Sequence, residues 1–322
     1  MKILASVIII SAAAVCGAEP LTLKSTVLLP GVKGRFDHFA VDTNTSRVFI
    51  AALGNNTLEV IDAAAAKRLY TITGLHKPTG VAFLADRNQI VVANGDDGTV
   101  KVFDGADYKL LKTIAGLDDA DNVRLDGKAN RLYVGYGDGA VAVIDSKTFE
   151  QLGPIQLKAH PEAFQLEQKG PRIFVNVPDA RQIAVVNRER RSVTTWPVEN
   201  FRANFPMALD ETNHRLFVGC RQPARLVVLD TEGGAMLEEL AISGDTDDLF
   251  YDANRKRLYI SCGEGFVDVV ESRDARRCER IARLSTRAGA RTSFFSSALN
   301  QLYLAVPQRG GQDAEIQIYQ PE

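Results

Sequence analysis

The sequence predicts an all-β fold: a seven-bladed β-propeller of four-stranded blades, with the ring closed by the N-terminal strand. Two recurrent series predict it. The first is Arg47-Val-Phe-Ile, Gln89-Ile-Val-Val, Arg131-Leu-Tyr-Val, Arg172-Ile-Phe-Val, Arg215-Leu-Phe-Val, Arg257-Leu-Tyr-Ile and Gln301-Leu-Tyr-Leu, at spacings of 42, 42, 41, 43, 42 and 44. The second follows each of these anchors: Val60-Ile-Asp62, Val102-Phe-Asp104, Val143-Ile-Asp145, Val185-Val-Asn187, Val228-Leu-Asp230, Val269-Val-Glu271 and Ile318-Tyr-Gln320.

Each unit of about 42 residues reads as four short strands rich in Val, Ile, Leu, Phe and Tyr. Gly, Asn and Asp clusters such as Leu53-Gly-Asn-Asn-Thr57 and Asn94-Gly-Asp-Asp-Gly98 separate them. Radial stacking buries both faces of such a sheet, so the strands are continuous apolar runs instead of strict alternations, and few edges stay exposed. The last unit stops after its third strand. Leu21 to Leu29 precede the first unit and end in Gly31-Val32, which matches Gly74-Leu75 and Gly116-Leu117 after other fourth strands. The N-terminal segment is therefore expected to complete the last blade.

Met1 and Lys2, an apolar stretch from Ile3 to Val15, and the small residues ending Cys16-Gly17-Ala18 have the layout of a secretory signal peptide over residues 1–18. Cleavage after Ala18 leaves 19–322 as a single propeller domain, and the expected location is periplasmic or secreted. A lipoprotein anchored through Cys16 is the rival, and Val15 before the cysteine fits it poorly. No later apolar run approaches the roughly 20 residues of a membrane span, so no transmembrane segment is expected.

A formal charge of −2 and a pI near 6.2 supply no basic field for nucleic acid. The run Arg188-Glu-Arg-Arg191 reads as a solvated hairpin tip. Cys220, Cys262 and Cys278 are an odd number, which argues against a disulfide framework, and they read as buried and inert. No Cys-x-x-Cys, haem attachment motif, Gly-x-Ser-x-Gly elbow or phosphate loop occurs.

Stretches such as Arg131-Leu-Tyr-Val-Gly-Tyr-Gly-Asp-Gly-Ala-Val-Ala-Val-Ile-Asp145 resemble the YVTN-type repeats of YncE-like propeller proteins, and the likeness runs through the whole of residues 19–322. The resemblance implies the propeller fold and export. It implies no single activity, because that group includes binding proteins and relatives of lactonases and lyases. The repeat is WD40-like in length but lacks the Trp-Asp dipeptide, and the single Trp excludes the repeated tryptophan docking of quinoprotein propellers.

Comparing the units with one another separates scaffold from site. Five anchors have an acid five residues earlier: Asp42 with Arg47, Asp126 with Arg131, Glu167 with Arg172, Asp210 with Arg215, and Asp252 with Arg257. Units two and seven lose both members together. The expectation is a structural ion pair across each turn, worth about 0.2–1 kcal/mol if exposed. Ten residues before each anchor, where the innermost strand begins, the units diverge into Asp37, Thr79, Asp121, Glu162, Phe205, Asp247 and Arg291. His38, Asn122 and Asp248 stand next to them, with Asn204 one residue and His160 two residues further back.

These positions converge on one channel mouth, so Asp37, His38, Asp121, Asn122, His160, Glu162, Asn204, Asp247, Asp248 and Arg291 are the candidate ligand-binding residues. The three histidines of this face, His38, His76 and His160, read as independent loop residues more readily than as one metal cluster. Arg291 is expected to neutralise Asp247 and Asp37. Asp121 and Glu162, on adjacent blades, have no such cation, and at ~7 Å with an effective dielectric near 20 their repulsion is about 2 kcal/mol. Protonation of one acid with a raised pKa would relieve it, as would a divalent cation such as Ca²⁺ at Asp121, Glu162 and His160 or a positively charged ligand. The expected protein is a monomer that binds a small polar molecule, a cation or a protein partner. The alternative is a lactonase-, hydrolase- or lyase-type enzyme using a metal or a histidine at the same mouth.

Overall fold

The computed structural model describes residues 19–322 except residue 275. The expected leader lies outside the described residues. Strand β1 (Leu21–Leu29) is followed by blade 1, made of β2 (Phe39–Asp42), β3 (Arg47–Ala52), β4 (Thr57–Asp62) and β5 (Lys67–Ile72). Blade 2 comprises β6 (Pro78–Leu84), β7 (Gln89–Asn94), β8 (Thr99–Asp104) and β9 (Leu110–Ile114). Blade 3 comprises β10 (Val123–Asp126), β11 (Arg131–Tyr136), β12 (Ala140–Asp145) and β13 (Gln151–Gln156).

Blade 4 contains β14 (Phe164–Leu166), β15 (Arg172–Val177), β16 (Gln182–Asn187) and β17 (Ser192–Pro197). Blade 5 contains β18 (Arg202–Asp210), β19 (Arg215–Gln222), β20 (Ala224–Asp230) and β21 (Met236–Ala241). Blade 6 contains β22 (Thr246–Asp252), β23 (Arg257–Cys262), β24 (Phe266–Asp274) and β25 (Arg277–Ser285). Blade 7 joins β26 (Thr292–Ser296), β27 (Gln301–Val306) and β28 (Ala314–Pro321) to β1 in the order β26-β27-β28-β1. No described helix is long and apolar enough to cross a membrane.

The ring closes as the repeat count requires. Strand β1 runs antiparallel to β28 from Leu21 opposite Pro321 to Leu29 opposite Ala314, with one irregularity between Leu23 and Ser25. Its Leu21, Val27 and Leu29 are buried, so the strand fills core as well as satisfying the edge of blade 7. The first strands of successive blades touch in an unbroken cycle, β2 to β6, β10, β14, β18, β22, β26 and back to β2, which makes them the channel wall. Seven apolar clusters fill the seven gaps between blades. The one between blades 7 and 1 sets Val48, Ile50 and Ile61 against Tyr303, Ala305 and Ile316. Cys220, Cys262 and Cys278 are free and buried in this core, and burial raises their thiol pKa values, to about 12 for Cys220 and Cys278.

The expected turn-spanning ion pairs form in three blades: Arg47 with Asp42 at 2.9 Å, Arg172 with Glu167 at 2.6 Å, and Arg215 with Asp210 at 2.7 Å. They are not exposed pairs, since the Arg215 and Asp210 side chains are 5% and 4% exposed. Each arginine also reaches the next blade. Arg47 donates to the Gly105 carbonyl and Asn88, Arg172 to the Thr231 carbonyl, and Arg215 to Ser272 and the Asp274 carbonyl. Blade 2, without an anchor arginine, sends Arg87 to the Ser146 and Lys147 carbonyls of blade 3.

Two pairs exchange partners. Arg131 turns to Asp145 at 2.8 Å while Asp126 takes Arg188 of blade 4 at 3.2 Å, because the hairpin after β16 carries that arginine against it. Asp252 takes Arg255 at 3.0 Å, a cation already in its own turn, and Arg257 donates to the Glu322 carbonyl instead. These charges latch neighbouring blades together on one face of the ring.

Candidate functional site

On the opposite face, the residue ten positions before the anchor is held by the same backbone bond in three blades. The amides of Asp37, Asp121 and Glu162 donate to the carbonyls of Ala51, Gly135 and Asn176 at 2.8, 2.8 and 2.9 Å. The scaffold is therefore common and only the side chains differ. Gly80 of blade 2 lets blade 3 come close, since a Cβ there would collide with the Asp121 carbonyl oxygen. Thr79 beside it donates its hydroxyl to the Ala120 carbonyl at 2.7 Å.

Eight of the ten candidate residues, Asp37, His38, Asp121, Asn122, His160, Glu162, Asp247 and Asp248, line one cavity of about 280 Å³ at the mouth. The other two stand behind it. Asn204 is fully buried and donates to Asn176 at 3.0 Å. Arg291 contacts Asp247 at 3.0 Å and Asp245 at 2.7 Å. Asp247 also pairs with Arg221, whose guanidinium donates to the Thr246 carbonyl and stacks 4.2 Å from the Phe205 ring centroid. The cation nearest to Asp37 is Arg35, at 3.4 Å, where Arg291 was expected.

Arg35 and Lys77 were not legible as mouth residues from the position ten before the anchor. Two positions further back, the units carry Arg35, Lys77, Asp119, His160, Ala203, Asp245 and Gly289, a second ring of which Arg35, Lys77, Asp119 and His160 line the cavity. Lys77 is engaged by Asp119 at 3.1 Å. Arg124, seven before its anchor, was also missed. Burial lowers its pKa against the opposing pull of Asp248 and Asp121.

The histidines divide. His38 and His160, from blades 1 and 4, flank the same carboxylate, with Nε2 atoms 3.9 and 4.0 Å from the two oxygens of Asp121. His76 points to Asp97 with its side chain 60% exposed and takes no part. No lysine or arginine lies within ion-pair distance of Asp121 or Glu162 among the described residues.

The carboxylates are correspondingly perturbed. Burial, reinforced by Asp121, Asp247 and Asp37, pushes Glu162 up to about 9. Burial and Asp247 raise Asp37 to about 7 despite Arg35. Burial and Asp37 raise Asp121 in spite of both histidines. Burial and Asp247 raise Asp248 well above the usual carboxylate range, although the Ser293 amide donates to it at 2.8 Å. His38 is lowered because burial outweighs the attraction of Asp121. The mouth can therefore hold protons on acids near neutrality, or exchange them for a positively charged occupant.

No family profile matches this chain, and no curated protein does. Among solved structures, a chain of a mitotic checkpoint complex is similar over 99% of this chain and 98% of its own, with 14% identity and a TM-score of 0.80. A chain of the hydrazine synthase of Kuenenia stuttgartiensis matches over 86% and 95%, with 16% identity and a TM-score of 0.74. U3-55K matches over 92% and 98%, with 13% identity and a TM-score of 0.77. At such identities the likeness establishes the fold, a seven-bladed β-propeller, and leaves the chemistry to the site itself.

Proposed function

We propose that this chain is an exported binding propeller that holds a divalent cation or a small positively charged ligand at its channel mouth. The observation that carries the reading is the crowding of Asp37, Asp121 and Glu162 into one cavity in which, among the described residues, neither Asp121 nor Glu162 has a lysine or arginine within 4.0 Å. Such an arrangement costs stability unless protons or a cation offset the repulsion. Export rests on the leader-like residues 1–18, and the YVTN-like repeats accord with it. A periplasmic or secreted location follows from both.

Calorimetric titration of the purified chain with Ca²⁺, with Zn²⁺ and with alkylamines and guanidines tests the reading. Saturable binding in the wild type, lost in an Asp121→Asn, Glu162→Gln double variant, is expected. Absence of any cation binding in the wild type overturns it. A second reading, a hydrolase- or lyase-type enzyme, is favoured by one observation: Asp37, titrating at about 7, lies 3.6 Å from His38, a pairing suited to general acid–base work. Turnover in a lactone-hydrolysis screen, abolished by His38→Ala, would establish it.

A further inference from the structure

We propose that Asp37, His38 and Asp121 form a site for one divalent first-row transition metal, with His160 and Asn122 as its nearest supporting donors. The inference rests on the cation-binding reading of the mouth and makes the occupant specific. One donor atom from each of the three residues lies within 4.8 Å of the other two. His38 Nε2 is 3.6 Å from Asp37 Oδ1 and 3.9 Å from Asp121 Oδ1. Both distances are too long for hydrogen bonds. Around a tetrahedral ion with bonds of about 2.0–2.1 Å, neighbouring donors stand roughly 3.3–3.4 Å apart, so modest side-chain movement closes the set.

Two further observations point to an occupant. Asn122 lines the same cavity, is 1% exposed, and its Oδ1 has no hydrogen-bond partner among the described residues. A buried amide oxygen left bare is costly, and because the Asn122 Nδ2 lies 3.5 Å from Asp121 Oδ2, a half-turn of the amide would exchange the two atoms and present that oxygen to a cation held by Asp121. His160 Nδ1 lies 2.7 Å from the Gly137 carbonyl oxygen, a contact that requires Nδ1 to carry the hydrogen. In the neutral ring its Nε2 then presents a lone pair to Asp121 Oδ2 at 4.0 Å, two electron-rich atoms facing each other across a gap. A backbone carbonyl that orients the remote nitrogen is also the usual second contact of a metal-binding histidine.

The donor set decides the metal class. Ca²⁺ and Mg²⁺ favour all-oxygen ligands, whereas imidazole combined with carboxylate suits Zn²⁺, Mn²⁺, Fe²⁺ and Co²⁺. Of the expected set of Asp121, Glu162 and His160, only Asp121 belongs to the converging group.

The test strips the purified, tag-free full chain with a chelator, then measures bound metal by equilibrium dialysis against Zn²⁺, Co²⁺ and Ca²⁺. Absorption spectroscopy of the Co²⁺ form and thermal melts of every variant accompany it. One equivalent of Zn²⁺ or Co²⁺ with a visible ligand-field band is expected, and Ca²⁺ should bind far more weakly. Loss of an orienting partner typically costs 10–100-fold, so His38→Ala and Asp121→Asn should each weaken Zn²⁺ binding by more than about 100-fold while still melting cooperatively. His38→Gln supplies the same test should His38→Ala fail to fold. No stoichiometric Zn²⁺ or Co²⁺, or binding unchanged in the folded variants, overturns the site. Ca²⁺ or alkylamine binding without Zn²⁺ or Co²⁺ would overturn this inference alone, and no cation binding at all would overturn the function with it.

Discussion

The two faces of the ring treat buried charge in opposite ways. On the latch face, Asp210 is 4% exposed and meets Arg215 at 2.7 Å, and the same arginine ties blade 5 to blade 6 through Ser272 and the Asp274 carbonyl. At the mouth, Asp121 is only 16% exposed and meets two imidazoles at about 4 Å. Burial alone would raise Asp210, yet the hydrogen bonds from Arg215 and Asn213 outweigh it and hold this carboxyl below the usual range. Nothing comparable restrains Asp121 or Glu162, and they rise. Charge that is buried and satisfied holds blades together, whereas the buried carboxylates of the mouth lack such partners, which is the feature on which the proposed binding function rests.

The largest perturbation should erase the contrast altogether. Deleting residues 21–29 removes three buried side chains and bares the edge of blade 7, so both faces lose their common frame. Circular dichroism melting should show no cooperative transition near that of the full chain, and an unchanged melt would refute closure by β1.

Within the latch face, Arg215→Ala leaves Asp210 buried and unpaired, which should destabilise by about 3–5 kcal/mol. Arg131→Ala breaks a pair whose members are 33% and 23% exposed and should cost less than about 1 kcal/mol. Denaturant unfolding of both variants checks the ranking. Equal losses would show that burial does not set the strength of these latches.

A smaller effect, of opposite sign, is expected at the mouth. Asp121→Asn removes a carboxylate from the Asp37 and Glu162 repulsion and should stabilise the metal-free protein by about 1 kcal/mol. The melting temperature in chelator measures it, and a marked decrease would mean that Asp121 serves the scaffold.

The pH dependence separates the faces by direction. Glu162, raised from 4.5 to about 9, keeps its proton in the folded chain after the unfolded chain has lost it. Its favourable contribution is complete below about pH 4.5 and is lost as pH rises towards 9. Asp37 adds the same slope between 3.8 and about 7. Asp210, depressed in the fold, contributes above its unfolded value of 3.8 and loses that contribution as acid is added. The wild type should therefore fall behind Glu162→Gln in melting temperature as pH rises through the alkaline part of this window, and parallel profiles would contradict the assignment.

Much of this was legible in the sequence because a repeat displays its own background. The two recurrent series place the second and third strands of every blade, and the truncated last unit together with Gly31-Val32 gives the closing role of β1, since strand patterning is local and occurs seven times. Divergence at Asp37, Asp121, Glu162 and Asp247 exposed the mouth for the same reason. What escaped depends on neighbours in space. Arg188 reaches Asp126 across a blade boundary, and Arg255 displaces Arg257 through a turn conformation that spacing does not encode. The approach of His38 to Asp121 skips a blade, and it is possible because blade 2 contributes the small pair Thr79-Gly80 between them. No count along the chain shows that two residues 83 apart, His38 and Asp121, share one gap.

The most direct test of the central claim, that the mouth carries carboxylates without sufficient countercharge, is a pair of thermal melts at mildly alkaline pH. The wild type and the Asp121→Asn, Glu162→Gln double variant are compared in chelator and again with divalent cation added. The account predicts that the double variant melts higher in chelator, that added cation raises the wild type, and that it leaves the double variant unmoved. A double variant that melts below the wild type in chelator would show those carboxylates to be part of the scaffold and would contradict the account.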